Sequence, residues 1–315
     1  MARPSYQNRA TLYAGVLMSL AIAGGCGKTE VVTVDGSSTV FLISAAVAEN
    51  LHESRPDVNV VVSQSGTGGG FKKFVAREID ICDASRAISE EEKEACEVAG
   101  IDYLEFVVAF DGLAVVVNPT NDWCDKLTVD QLRMIWRKES QDVVNSWSDV
   151  NPAWPDIELK LYGPGTDSGT YDYFNEVING DPKNSRQDYS PDENDNALVT
   201  GVAGDEGSLG YFGLGYYIEN QDKLKLLAID GGDGPVKPTV ETVRNGGYQP
   251  LSRPLYIYVR KDALHKRAVR EYLKYYLAHA NDVAEGVGYV PVPDEIVAEN
   301  RATLGKALDE GEPAA

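Results

Sequence analysis

The sequence predicts an α/β protein of two lobes, joined by a two-strand hinge with a ligand cleft between them. Short β-branched runs alternate with helical segments along most of the chain. Two extended apolar stretches have the character of strands that cross from one lobe to the other. The stretch at 103–118, with Asp111-Gly112 in its middle, predicts two strand segments, and the stretch at 255–260 predicts a second crossing strand. The 315 residues are sufficient for two domains of ordinary size, each with its own core.

Three β-α units follow one another at residues 31–98, in the first of the two lobes. Strands are predicted where Val and Ile accumulate, at 31–34, 58–63 and 79–83. Helices are predicted between and after them, at 40–53, 71–77 and 90–98. A β-α-β-α order predicts a mostly parallel sheet with helices on both faces.

Further α/β units follow the first crossing stretch. We predict helices at 128–137 and 168–178, and strands at 157–162, 209–212 and 225–229. The second crossing strand then leads into a long amphipathic helix at 263–280. The domain division that follows is 27–108 plus 252–315 for lobe 1 and 109–251 for lobe 2. Two crossings form a hinge, and a hinge between α/β lobes predicts a cleft that closes.

The first 26 residues have the pattern of a secretory signal. Arg3 and Arg9 precede a short apolar run at 12–23, which is followed by two glycines and Cys26. A Cys after Ala-Gly-Gly resembles a bacterial lipobox, although Ala23 stands where Leu is usual. We expect Cys26 to be lipidated and to anchor a periplasmic or extracytoplasmic protein to a membrane. The alternative is an ordinary signal peptide that is cleaved nearby.

The net charge of the chain limits the classes of partner that the protein can bind. The formal net charge is −20, with 49 acidic against 29 basic side chains, which argues against a nucleic-acid partner.

The cysteines of the mature chain differ in their predicted surroundings. Cys82 lies in a predicted buried strand, where a free thiol is expected. Cys96 and Cys124 are the better candidates for a disulfide in an exported chain. The cysteines do not have metal-ligand spacing, and we expect neither a metal site nor a cofactor.

Four hydroxyl- or glycine-rich turns lie between a predicted strand and the helix that follows it. They are Gly36–Thr39, Ser65–Gly70, Ala84–Arg86 and Gly165–Thr170. In an α/β fold such turns meet at the carboxyl ends of the strands, where ligands bind. Each would offer helix N-terminal N–H groups and hydroxyls to one ligand. A single turn is weak evidence, because Ser, Thr and Gly are common in caps and turns. Together the four favour an anion site.

With these motifs the chain resembles the substrate-binding component of the Pst phosphate transporter, the PstS/SphX type, along essentially its whole mature length. The segments that carry the resemblance are 35–39, 65–72, 80–86, 166–170, 207–211 and 249–254. The resemblance implies a periplasmic-binding-protein fold and an anion held between two lobes. The phosphate-binding residues expected in the first two turns are Ser38, Thr39, Val40 (through its N–H) and Thr67. Those expected in lobe 2 are Ser168, Gly169 and Thr170.

Two positions depart from the family pattern. Pro164 stands where many members have an Arg, and Ser85 stands where they have an Asp that accepts the proton of hydrogen phosphate. We infer that Arg86, beside Ser85, supplies the cationic contact, since a guanidinium binds phosphate in a bidentate manner. The alternative is that Arg86 is a solvent-exposed arginine at the start of a helix. The residues leave open whether Asp83, Asp167 or another carboxylate accepts the proton.

The resulting prediction is a monomeric, non-enzymatic receptor that binds inorganic phosphate and delivers it to an ABC permease. Alternatives are a binding protein for sulfate or molybdate, a phosphate sensor, or a secreted phosphatase-like hydrolase. The enzyme alternative is the weakest, because the glycine-rich turn lacks a nucleotide-loop ending and Ser168 lies outside a nucleophile-elbow pattern. The three histidines also lie on predicted helices away from the four turns, at His52, His265 and His279.

Overall fold

The computed structural model describes residues 30–166 and 168–310, where the chain forms twelve strands and eleven α-helices. The predicted signal segment with Cys26, and Asp167, lie outside the described residues. The strands are β1 (Val31–Gly36), β2 (Asn59–Val62), β3 (Ile81–Ala84), β4 (Tyr103–Val117), β5 (Lys126–Thr128), β6 (Lys160–Gly163), β7 (Ser190–Pro191), β8 (Ser208–Gly213), β9 (Lys225–Leu226), β10 (Ala228–Asp230), β11 (Pro235–Val236) and β12 (Ser252–Arg260).

The helices fill the connections between these strands. They are α1 (Ser38–Ser54), α2 (Thr67–Val75), α3 (Glu90–Val98), α4 (Val129–Trp136), α5 (Trp147–Val150), α6 (Gly169–Asn179), α7 (Asp195–Gly204), α8 (Leu214–Glu219), α9 (Val240–Arg244), α10 (Arg267–Gly286) and α11 (Asp294–Glu310). Every helix and strand predicted from the sequence overlaps one of these elements. Of the helices in the described ranges, none has both the length and the apolar character needed to span a bilayer.

One sheet runs through the centre of the molecule in the order β2-β1-β3-β12-β4-β8-β6-β7, with β9 also paired to β4. Strand β1 is parallel to β2 and β3, but β12 is antiparallel to β3 and β4, and β4 is antiparallel to β8. The prediction of a mostly parallel sheet was therefore wrong for the centre. The two crossing strands run in opposite directions between the lobes, so their pairing with each other is antiparallel.

The crossing stretch at 103–118 is a single strand of 15 residues rather than two segments. The part of β4 from Tyr103 to Gly112 pairs with β12, and the part from Leu113 to Val117 pairs with β8. β4 and β12 therefore lie side by side at the middle of the sheet, as a two-strand hinge requires. In this register Arg253 of β12 lies opposite Asp111 of β4.

Hydrophobic packing forms two large clusters, each of which includes a different part of β4. One cluster contains residues from Phe110 to Leu251, joined by Val290 and Val292. A second cluster contains buried residues from 32–58, 104–109 and 255–304 together with Ile81, and it includes the faces on which α1 and α10 contact each other. The buried positions of α1 include Val40, Ile43, Val47 and Leu51, whose spacing of three or four residues places them on one face of the helix.

The predicted disulfide is absent from the described residues. Cys82, Cys96 and Cys124 are all free and buried. Cys96 packs in a small cluster with Phe71, whereas Cys124 packs in the large cluster that surrounds β4 and β8. The pairing of Cys96 with Cys124 was wrong, because their segments join different cores. The expectation of a free, buried thiol at Cys82 is confirmed.

Candidate anion-binding site

The turns predicted from the sequence meet in a cleft of about 850 Å³. Six of the predicted site residues line it: Ser38, Thr39, Thr67, Ser85, Arg86 and Gly169. Further lining residues come from α6, the loop after it and the start of β12, among them Asp172, Tyr173, Glu176, Lys183 and Arg253. The cleft is therefore built from helix N-termini on one side, from α6 on the other, and from a hinge strand between them.

The N-terminus of α1 is held close to the end of β3. The N–H of Ser37 donates to the carbonyl oxygen of Asp83 at 2.9 Å, and the Ser37 hydroxyl accepts from the N–H of Thr39 at 3.2 Å. Gly36 has φ +144°, and a Cβ there would lie 2.0 Å from that same carbonyl oxygen, so only glycine permits this approach. The Val40 side chain is buried in the core. The group of Val40 that is suited to bind an anion is therefore its backbone N–H, in the first turn of α1.

The second and third turns are joined through two hydroxyl groups. The Thr67 hydroxyl oxygen lies 3.2 Å from that of Ser85 and also accepts the Ser85 N–H at 3.2 Å. Thr67 is the first residue of α2, and Gly66 before it has φ +77°, which favours glycine. Two predicted site residues that are 18 positions apart in the chain therefore form one polar group at the cleft.

Helix α6 brings its N-terminus directly against that of α1. Ser168 caps α6, and its hydroxyl accepts the N–H of Thr170 at 3.2 Å. A Cβ on Gly169 would lie 2.6 Å from the Thr39 hydroxyl oxygen and 2.9 Å from the Thr39 nitrogen. The absence of a side chain at Gly169 is what lets the two helices approach. Both helices therefore direct the positive ends of their dipoles toward the same region.

Arg253 is a cleft residue that the site prediction missed. Its guanidinium donates to the Thr39 hydroxyl at 3.0 Å and to a carboxylate oxygen of Asp111 at 3.3 Å. The guanidinium carbon lies 3.6 Å from the centroid of the Tyr173 ring. The signal was present in the segment 249–254, which carried part of the family resemblance. The position of β12 beneath the cleft, however, follows from the order of the strands in the sheet, and this order cannot be recognised in the segment itself.

Arg86, the predicted cationic contact, lines the cleft but already has a partner. Its two terminal nitrogens donate to the two carboxylate oxygens of Glu92, each at 2.8 Å. This pairing raises the pKa of Arg86, and its side chain is 45% exposed. Of the two arginines, Arg253 lies deeper and contacts a predicted ligand residue, whereas Arg86 binds a carboxylate of its own lobe.

Of the two carboxylates considered from the sequence, Asp83 lies within the described residues. Asp83 is fully buried, and one of its oxygens accepts from the Ser44 hydroxyl at 2.9 Å. The other oxygen has no hydrogen-bond partner among the described residues, and burial raises the pKa of Asp83 well above its usual value. Asp83 does not line the cleft. Asp167 lies outside the described residues.

Asp172 and Glu176 are the acidic residues among the described side chains that line the cleft. Asp172 follows Ser168 by four positions, so it lies one turn further along the same face of α6. Desolvation first, and then the charge of Glu176, raise the pKa of Asp172, while Arg253 acts in the opposite direction. The i, i+4 spacing from Ser168 was the signal that could have identified Asp172 in the sequence.

A fold of two lobes with an anion-suited cleft between them defines a binding protein of the periplasmic type. Residues 23–279 match the PBP superfamily domain. The chain is 46% identical over 295 residues to protein SphX of Synechococcus elongatus, covering 92% of this chain and 87% of that protein. It is 36% identical over 297 residues to the phosphate-binding protein PstS of Staphylococcus aureus, covering 92% and 88%. The chain belongs to the PBP superfamily and, within it, to the family of SphX and PstS.

Solved structures agree with this assignment. A crystal structure described as a possible phosphate binding protein from Planctomyces limnophilus is 48% identical, with a TM-score of 0.85, and the match covers 89% of this chain and 99% of that one. An ABC-type phosphate transport receptor from Vibrio cholerae shares the fold, with a TM-score of 0.64 at 23% identity, covering 82% and 99%. The predicted family and fold class are confirmed, and the family is one of binding proteins rather than enzymes.

Proposed function

We propose that this protein binds inorganic phosphate outside the cytoplasmic membrane and delivers it to an ABC permease for uptake. The observation that carries the proposal is the convergence of the α1 and α6 N-termini, with Arg253 between them, in a chain of the SphX and PstS family. N–H groups at helix N-termini and a guanidinium are suited to an oxyanion.

The ligand set we propose combines the predicted residues with Arg253. Backbone N–H groups of the first turns of α1 and α6 would donate to the phosphate oxygens, together with the predicted hydroxyls. These residues are Ser38, Thr39, Val40, Thr67, Ser85, Ser168, Gly169 and Thr170. A tetrahedral oxyanion has enough acceptor positions for such a set, and direct contacts of this kind would bind it without its hydration shell.

Arg253 is the better candidate for the principal cationic contact. It is already within hydrogen-bond distance of Thr39, and Tyr173 and Asp111 hold its guanidinium in place. The bidentate pairing of Arg86 with Glu92 leaves it fewer free donors. A direct contact from Arg86 remains a prediction, which a comparison of Arg253→Gln with Arg86→Gln tests.

We further propose Asp172 as the carboxylate that accepts the proton of hydrogen phosphate. It lines the cleft next to Tyr173, on which Arg253 stacks, whereas the Asp83 side chain is enclosed in the core. Sulfate has no proton at neutral pH and would place an oxygen against this carboxylate without a hydrogen bond. Asp167 is the competing candidate that the sequence offers.

The proposal includes the division of the chain into two lobes. The two large hydrophobic clusters, which meet near residues 109–110 and 251–255, support a division into 27–108 plus 252–315 and 109–251. Val290 and Val292 are the exception, since they pack with the second lobe.

We also propose that lipidation at Cys26 holds the protein at the membrane. There it would act as a monomer beside its permease.

Isothermal titration of the purified protein with phosphate, sulfate and molybdate tests the proposed ligand. Bound anion is first removed by partial unfolding and dialysis. We expect one phosphate per chain, with no binding heat from the other two anions. Binding of sulfate or molybdate in place of phosphate would leave the binding-protein fold intact and overturn the ligand.

A further inference from the structure

Arg86, Glu176 and Lys183 are charged residues that line the cleft but do not belong to the principal set of proposed ligands. Arg86 and Glu92 form a bidentate ion pair on the side of β3 and α3. Glu176 lies on α6, on the opposite side of the cleft, and lines it together with Arg86. Within the described part of the chain, no lysine or arginine lies within salt-bridge distance of Glu176. An unpaired carboxylate in a cleft that receives an anion requires an explanation.

The position of Glu176 places it away from the deepest part of the cleft. It follows Asp172 by four residues and Ser168 by eight, so the three lie along one face of α6. Ser168 is at the helix N-terminus, where the anion would bind, and Glu176 is two turns, or about 12 Å, away along the helix. The Arg86 side chain is 45% exposed, and because an ion pair at such a position contributes little stability, an exchange of its carboxylate partner costs little. The charge of Glu176 is one of the influences that raise the pKa of Arg86, after that of Glu92.

We propose that Arg86 and Glu176 form an ion pair across the mouth of the cleft when the lobes close on the anion, and that Glu92 competes for Arg86. The pair acts as a latch between the lobes. It stabilises the closed, liganded form and slows the release of the anion. This inference rests on the proposed phosphate-binding function, but it concerns the rate of release and not the identity of the ligand.

Simple electrostatics and the latch predict opposite results for Glu176→Gln. Removing a negative charge from a cleft that binds an anion should strengthen binding, because a repulsion is lost. If Glu176 holds Arg86 in the closed form, its removal should instead accelerate release. For a partly exposed ion pair we expect the dissociation rate to rise about 1.5- to fivefold, with an association rate that is unchanged or faster.

Glu92→Gln should act in the opposite direction. This change frees Arg86 from its partner on the same lobe and leaves Glu176 as its carboxylate partner, so phosphate release should become slower than in the wild type. Glu219→Gln and Glu91→Gln are the matched controls. Glu219 is exposed at the end of α8 and does not line the cleft, and Glu91 is the exposed neighbour of Glu92 on α3. Neither control should change the release rate.

The experiment measures phosphate association and dissociation by stopped flow for the full protein, at low salt and at about 0.5 M salt. We expect faster release in Glu176→Gln, slower release in Glu92→Gln, and a loss of both effects at high salt because exposed pairs are screened. The double variant Arg86→Gln/Glu176→Gln should release phosphate no faster than Arg86→Gln alone. Slower or unchanged release in Glu176→Gln would overturn the latch. Absence of phosphate binding in the wild type would instead overturn the proposed function.

Discussion

The guanidinium of Arg253 donates a hydrogen bond of 3.0 Å to the hydroxyl of Thr39, which lies 214 positions earlier in the chain. This contact joins the hinge strand β12 to the N-terminus of α1. Asp111 and Tyr173 hold the same guanidinium from β4 and α6. A single cation at the hinge therefore contacts elements on both sides of the cleft, where it can respond to an anion and to the separation of the lobes.

Replacement of Arg253 by Gln should weaken phosphate binding by about 10- to 100-fold, because a charge-assisted hydrogen bond to the anion is lost. Arg253→Lys should recover only part of the affinity, since an ammonium neither stacks on Tyr173 nor donates in two directions from one plane. Titration calorimetry measures both variants, with Arg86→Gln beside them. A smaller loss in Arg253→Gln than in Arg86→Gln would transfer the principal cationic role to Arg86.

Gly169→Ala tests the contact between the α1 and α6 N-termini. The new Cβ would lie 2.6 Å from the Thr39 hydroxyl oxygen, so the helices must separate. We expect phosphate affinity to fall by at least about tenfold, the scale of one displaced hydrogen bond. Gly204→Ala is the matched control, because a Cβ added there, at the end of α7, would have no neighbouring atom within 4 Å. Equal affinity in both alanine variants would show that the approach of the helices is not required.

Asp83→Asn should stabilise the protein at neutral pH. Burial raises the pKa of Asp83 in the folded state, whereas in the unfolded chain it is about 4. Between these values the folded protein binds more protons, so this carboxyl reduces stability as the pH rises from about 4 toward the folded pKa. Asparagine carries no charge and avoids this loss. We expect its Tm to exceed that of the wild type by about 2–4 °C or more at pH 7.5 and to match it near pH 4.

Asp57→Asn serves as the control for that measurement. Asp57 is exposed, and its hydrogen bond with Arg55 lowers the pKa of its carboxyl, so the linkage has the opposite sign. This carboxylate contributes stability above its unfolded pKa, and the contribution disappears as the pH falls. Its removal should not stabilise the protein at pH 7.5. A decrease in Tm for Asp83→Asn at that pH would contradict a raised pKa for the Asp83 carboxyl.

Asp172→Asn should change the discrimination between phosphate and sulfate. The amide can donate a hydrogen bond to a fully ionised oxyanion, whereas the carboxylate can only accept one. We expect phosphate affinity to fall and sulfate binding to become measurable by calorimetry. Asp222→Asn, at an exposed position, is the control. If sulfate remains excluded by Asp172→Asn, the acceptor is another carboxylate, with Asp167 as the next candidate.

The three described cysteines should be found as thiols in the exported protein. Each is buried, and Cys96 and Cys124 lie in different hydrophobic clusters. Burial also raises the pKa of each thiol, which disfavours the reactive thiolate. Alkylation after unfolding without a reductant, followed by peptide mapping, should label Cys82, Cys96 and Cys124. A peptide that joins Cys96 to Cys124 would contradict the structure.

The sequence alone determined the elements and most of the proposed ligand turns. Ser37 and Ser168 cap helices whose starts local chemistry predicts, and glycine is needed at Gly36 and Gly66 because their φ values are positive. Such features depend on residues a few positions apart, so they can be recognised in one stretch of chain. The family resemblance was carried by the same short segments.

Only the tertiary structure decided which distant residues meet. The antiparallel centre of the sheet places Arg253 opposite Asp111, and the approach of α6 to α1 places Gly169 against Thr39. The same packing separates Cys96 from Cys124 and encloses Asp83 in the core. Strand order and helix packing are set by the burial of apolar surface over the whole chain, which local periodicity does not encode.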